Sequence, residues 1–177
     1  MVLVYMDARS YTTADFMWDA EKFKWLVAYQ DSQGKAVDYL FDGFLLIGYV
    51  WKDNRYLLPI SGGVASNKTD WEDFLKLQFE VGVLNLNKAV ENVPQTLGDA
   101  RYAAKVVLTI PYPDPKQSNF GEVSGVKRDF SNGADRVAAI KWYIDEALDK
   151  WADYSDGGLL NKAELIGFYW LHETVPS

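Results

Sequence analysis

Four short apolar runs, separated by stretches long enough and patterned enough to be helices, constrain the fold of this chain more than any single residue does. Val2 to Met6 reads as a first buried strand, Gly43 to Gly48 as a second, Lys105 to Ile110 as a third and Leu165 to Leu171 as a fourth. Pro111 stops the third run, because proline cannot donate to a sheet ladder. Between them the spacing predicts a helix around Asp19 to Tyr29. A second has Thr69 as N-cap, Glu72 completing a capping box, and an apolar stripe of Trp71, Phe74, Leu75 and Phe79. A third covers Leu84 to Val93, and a long one runs from about Ala134 to Trp151, capped by Ser131 or Asn132, with Val137, Ile140, Ile144, Leu148 and Trp151 at helical spacing. The order β, α, β, αα, β, α, β implies a parallel sheet with right-handed crossovers. The fold class is therefore α/β, either half of a TIM-type barrel or a small open parallel sheet.

A chain of 177 residues with 49% apolar residues fits a single domain with its own core. The formal charge of −7 and pI of about 4.7 argue against nucleic acid, whose affinity comes mainly from Lys and Arg neutralising phosphates. No apolar run approaches the roughly 20 residues of a membrane helix. The start, MVLVYMDARS, lacks the basic segment and cleavage site of a secretory signal, so the expectation is a soluble chain or a mature piece of one. Zero cysteines exclude disulfides and thiolate zinc sites, and a single histidine makes a histidine metal site remote. Gly62-Gly63 lacks the spacing and lysine of a phosphate loop, and no serine sits in a nucleophile elbow. Neither a metal nor an organic cofactor is expected.

The candidates for chemistry gather where strands end. The fourth run closes on Tyr169, Trp170, His172 and Glu173, and a carboxyl partly desolvated by aromatic neighbours has a raised pKa suited to a general acid. Glu173 is thus the first catalytic candidate, with Asp7, after the first strand, as the second carboxylate and Arg9 beside it as a fork for a hydroxyl or for Asp7 itself. Tyr112 and Asp114 in PYPDP follow the third strand in a proline-stiffened loop, where shaping the loop is an equal alternative to touching ligand. Asp42 depends on register: it starts the second strand if that strand begins at Gly43, and it joins the cleft only if the strand runs Val37 to Phe41. Seven Trp and eleven Tyr, many beside polar residues, fit either a large aromatic core or a sugar cleft, with Trp18, Trp51 and Tyr56 as loop aromatics able to stack on pyranose faces.

The combination of MDARSY, VDYLFDGFLL, VVLTIPYPDP with its later FG, and GFYWLHE resembles the DUF4855 family across nearly the whole chain, in order. The resemblance implies bacterial proteins with barrel domains related to glycoside hydrolases, secreted or periplasmic. It further implies that this chain corresponds to the N-terminal half of a longer barrel acting on a bacterial or plant polysaccharide or oligosaccharide. A glycosidase needs two carboxylates flanking the scissile bond. Four strands also leave free edges, available for self-association or for a partner. The alternative is a noncatalytic carbohydrate-binding or protein-interaction domain using the same cleft.

Overall fold

A computed structural model of the chain describes residues 1–7, 17–58, 62–93, 97 and 101–172. The first strand, β1 (Val2–Tyr5), is followed by α1 (Ala20–Val27), which starts where the Asp19 carboxylate accepts the Lys22 N–H. The chain then folds back as an antiparallel hairpin of β2 (Ala28–Gln30) and β3 (Ala36–Tyr39), closed by Asp31, whose carboxylate accepts the N–H groups of Gln33 and Lys35. Next comes β4 (Gly43–Ile47), buried along its whole length. Residues 48–67 carry the two-residue strands β5 (Arg55–Tyr56) and β6 (Val64–Ala65). The helix α2 (Lys68–Leu77) continues through a π-helical segment, Gln78–Val83, into α3 (Leu84–Asn92). After β7 (Ala104–Ile110) come the hairpin β8 (Gly121–Val123) and β9 (Val126–Arg128), the long helix α4 (Gly133–Asp156) and β10 (Ala163–Trp170).

The expected parallel sheet is present, with β1, β4, β7 and β10 hydrogen-bonded side by side in that order and all parallel. Register fixes its two faces. Val4, Leu46 and Leu108 align across three strands, with Phe44 and Val106 one step earlier, and all five are fully buried. This is the face on which helices pack: a Cβ on Gly82 of the π-helical segment would lie 2.6 Å from the Leu46 Cδ1 and 3.2 Å from the Met6 Sδ. Glycine at 82 therefore sets how closely that helix approaches the sheet.

Three local expectations are corrected. The N-cap of α2 is Asn67, not Thr69: its side chain accepts the Asp70 N–H while the Asp70 carboxylate accepts the Asn67 N–H, so the capping box exists two residues earlier than the Thr69 and Glu72 pair suggests. On α4 the buried residues are Ala139, Tyr143 and Ala147, whereas Val137 and Leu148 of the expected stripe are exposed. Small alanines one turn either side of Tyr143 let the helix approach while the tyrosine reaches inward, which hydrophobicity by itself ranks below valine and leucine. The helix expected around Asp19 to Tyr29 ends at Val27, and Ala28 and Tyr29 belong instead to β2 of the first hairpin, while the hairpin β8–β9 lies in the stretch after PYPDP, where no strand is expected. The second is closed at Ser124 and Gly125, both at positive φ, the arrangement of a tight two-residue hairpin turn.

Candidate functional site

Because the four sheet strands run the same way, their C-terminal ends share one edge of the molecule, from which residues 48–67 and 111–132 depart. Long loops at that end of a parallel sheet are where ligand sites are built. The Met6 N–H donates to the Ile47 carbonyl at 2.8 Å, carrying the β1 ladder one residue further and setting half-buried Asp7 just beyond it. Tyr5 and Tyr49 pack with ring centroids 5.5 Å apart. Tyr112 is anchored by its N–H on the Leu57 carbonyl at 2.8 Å. Its ring lies 4.6 Å from the His172 imidazole and 6.5 Å from the Trp170 indole. Tyr169 pairs with Thr109 and Trp170 with Ile110, so the two alternate in direction at the end of β10. Asp7, Tyr112, Tyr169, Trp170 and His172 thus belong to one end of the sheet, while Arg9 and Glu173 lie outside the described residues.

Other expected site residues go elsewhere. Asp42 immediately precedes β4, at the N-terminal end of the sheet, where its carboxylate meets the Lys105 ammonium at 2.9 Å and its carbonyl accepts the Lys105 N–H at 2.7 Å. The Lys105 hydrogen bond, then its charge, hold this carboxyl below its ordinary value. Asp42 is therefore remote from the other candidates, as a strand beginning at Gly43 requires. Asp114 shapes its own loop, accepting the Lys116 N–H at 2.9 Å on its carboxylate and the Gln117 N–H at 2.9 Å on its carbonyl. Trp51 is a core residue, 3% exposed and edge-on to Phe74, so it is not available to stack on a ligand. The Trp18 indole N–H donates to the Tyr5 carbonyl at 2.8 Å and braces β1. Tyr56 packs over Gly63, where a Cβ would run into its ring, and its hydroxyl donates to Asn54.

Two features at this end have no counterpart in the sequence reading. Asp70, at the start of α2, is almost fully buried with its carboxylate 3.5 Å from the Arg55 guanidinium, and burial pushes its pKa above the ordinary value despite the hydrogen bond from Asn67 and the Arg55 charge. Arg55 and Gln117 both donate to the Ala65 carbonyl, at 3.2 and 2.9 Å, so this cluster ties residues 48–67 to the loop after β7. The second feature begins where the β4 to β7 ladder stops, at Leu46 opposite Leu108. There the Leu46 carbonyl accepts from Thr109 Oγ1 at 2.8 Å and from Gln78 Nε2 at 3.0 Å, and the Tyr143 hydroxyl donates to Gln78 Oε1 at 3.0 Å. This buried chain of polar groups links α4, the π-helical segment, β4 and β7 directly under the loops. The D-N turn signal at Asp53-Asn54, both at positive φ, marks the turn that sets Arg55, but no local pattern couples Gln78 to Tyr143.

Among the described residues no group of three or more His, Asp and Glu side chains is arranged to hold a metal ion, and no helix is long and apolar enough to cross a membrane. No curated protein and no solved structure matches the chain. The DUF4855 model, by contrast, matches residues 1–177, and the chain belongs to that family, described as a domain of unknown function.

Proposed function

We propose that this chain is a glycoside-hydrolase-like (β/α) domain that holds a saccharide at the C-terminal end of its sheet, with Glu173 as general acid or base and Asp7 as the second carboxylate. The observation that carries the reading is the Tyr112 ring packed against both His172 and Trp170 at the end of β7 and β10. Flat rings beside hydrogen-bonding groups suit sugars, whose C–H faces pack on aromatics while their hydroxyls need polar partners. The adjacent strand order, all parallel, is that of successive strands in a (β/α)8 barrel, which supports reading the sheet as half of such a barrel. In that fold, residues just past the strand ends touch substrate, and Asp7 and Glu173 follow β1 and β10.

A noncatalytic saccharide-binding domain is the second reading. It is favoured by Asp114, whose engagement within its own loop leaves Asp7 as the described carboxylate among the candidates at this end. The test is a polysaccharide and oligosaccharide panel scored for binding and for reducing-end release, on the wild-type chain and on Glu173→Gln. Release that falls by about 10²–10⁴ in the variant while binding survives is expected for a general acid or base. Binding without release in either protein replaces the enzyme by a binder, and silence on both readouts removes the saccharide. Tyr112→Ala should weaken saccharide binding about tenfold, the equivalent of ~1.4 kcal/mol, through the lost ring.

A further inference from the structure

We propose that Tyr5 and Tyr49 form a second sugar contact at the C-terminal end of the sheet, apart from the one at Tyr112, so that the ligand is a chain of several sugar units lying across the strand ends. The inference rests on the saccharide reading above and adds to it the form of the saccharide. Tyr5 closes β1 and Tyr49 follows β4, and their rings pack with centroids 5.5 Å apart and planes at 35°. Tyr5 is 55% exposed, although its neighbour Met6 and its register partner Ile47 are both buried. Met6 turns to the helix side, its Sδ 3.2 Å from where a Cβ on Gly82 would lie, and its N–H carries the ladder on to the Ile47 carbonyl. Alternation along the strand then sets Asp7 on the same side of the chain as Tyr5. An exposed ring with a carboxylate two residues on offers what a pyranose needs, a flat apolar contact and an acceptor for hydroxyls.

The backbone sets the distance between the two contacts. Leu57 stands between them: its N–H donates to the Tyr49 carbonyl at 3.0 Å, and its own carbonyl accepts the Tyr112 N–H at 2.8 Å. Tyr49 and Tyr112 are therefore on opposite sides of one intervening segment, two ladder spacings or about 10 Å apart. Leu57 is fully buried and adds no ring of its own. Beyond it, Tyr112 meets His172 and Trp170, with ring centroids 4.6 and 6.5 Å away. A single pyranose reaches one aromatic group or the other, whereas a chain rests a sugar on each. All three tyrosines are fixed through the backbone, Tyr5 by the Trp18 indole N–H on its carbonyl at 2.8 Å and the other two by Leu57. Rings held in place before a ligand arrives lose little entropy on binding it. Two contacts joined in one ligand then raise affinity through effective concentration, with no new chemistry at either.

The experiment is a calorimetric titration of the whole chain with size series, from monomer to hexamer, of β-1,4-linked gluco-, xylo- and manno-oligosaccharides and of α-1,4-linked gluco-oligosaccharides. In a series that binds, affinity should rise about tenfold between the disaccharide and the tetrasaccharide. Tyr5→Ala, at an exposed position, should remove that rise and leave disaccharide affinity unchanged, whereas Tyr112→Ala should weaken short and long members alike. Tyr5→Phe, which keeps the ring, should keep the rise. The wild-type series decides without recourse to any variant: a disaccharide bound as tightly as a hexasaccharide overturns the extended chain and leaves the single contact at Tyr112 standing. A rise that survives Tyr5→Ala overturns the assignment to Tyr5 and Tyr49. Absence of binding by every member overturns the saccharide reading itself, and this inference with it.

Discussion

The two ends of the same four strands are built differently. At the N-terminal end short links pin the sheet: Asp42 to Lys105, the Tyr102 hydroxyl to the Phe41 carbonyl, Tyr39 stacked on Tyr102 at 3.9 Å, and the Ala104 N–H on the Lys162 carbonyl at 2.8 Å. At the C-terminal end the ladder between β4 and β7 gives way to the side chains of Thr109 and Gln78, and long loops carry Tyr112, Arg55 and Asp70. One end closes the structure with single pairs between neighbouring elements, and the other holds loops in place through a buried framework. Loops held in that way on a fixed scaffold are where a parallel sheet can build a site.

Glycines at the two ends of β4 probe the difference most strongly. A Cβ at Gly48 would lie 2.7 Å from the Phe74 Cζ, in a ring with no exposure, whereas one at Gly43 would make ordinary contact, 3.4 Å, with Met1. Gly48→Val should therefore cost about 3 kcal/mol by overpacking, read as a fall in the urea midpoint. Gly43→Ala should barely move that midpoint. Equal losses at both positions would abolish the distinction between a tightly seated C-terminal end and an N-terminal one pinned by single pairs.

Gln78→Leu is the next largest effect. It strands the Tyr143 hydroxyl and removes a donor from the Leu46 carbonyl, both buried, and should cost about 2 kcal/mol. Tyr143→Phe in the same background should cost less than Tyr143→Phe by itself, because the hydroxyl has already lost its partner. Strict additivity in that double-mutant cycle would mean the Tyr143 to Gln78 bond contributes nothing to the framework.

The smallest effect has opposite signs at the two ends. Asp42 is held below 3.8 by Lys105, so its stabilisation is present above that pH and is lost as pH falls through the depressed value. Asp70 is pushed above 3.8 by burial, so its contribution is full below that pH and is lost as pH rises through the raised value. Relative to wild type, Asp42→Asn should be less stable at neutral pH and converge with it in acid. Asp70→Asn should gain on wild type as pH rises. Urea midpoints across this range should give difference curves of opposite slope, and the Asp42 curve should flatten in high salt because that pair is exposed. Slopes of the same sign would remove the electrostatic half of the comparison.

Much of the framework was legible because its signals are local. Val2 to Met6 and Lys105 to Ile110 are short apolar runs rich in β-branched residues, and both are strands within a residue or so. The stripe Trp71, Phe74, Leu75 and Phe79 is buried as its spacing predicts. The site was legible in part: strand-end logic brought Tyr112, Trp170 and His172 together, but it could not tell that Asp42 stands at the other end or that Trp51 is core. Those outcomes rest on partners far along the chain, as with Asp42 and Lys105, 63 residues apart.

Sequence by itself determined the four strands of the parallel sheet, the approximate course of the main helices and the parallel class of the sheet, because period, caps and prolines act over a few residues. Only the tertiary structure decided that α4 buries Ala139, Tyr143 and Ala147 rather than its larger aliphatics, and that Gln78 and Thr109 converge on one carbonyl. Each of these is settled by how closely two distant elements can approach, and close packing makes that distance a property of the assembled molecule rather than of any one stretch of it.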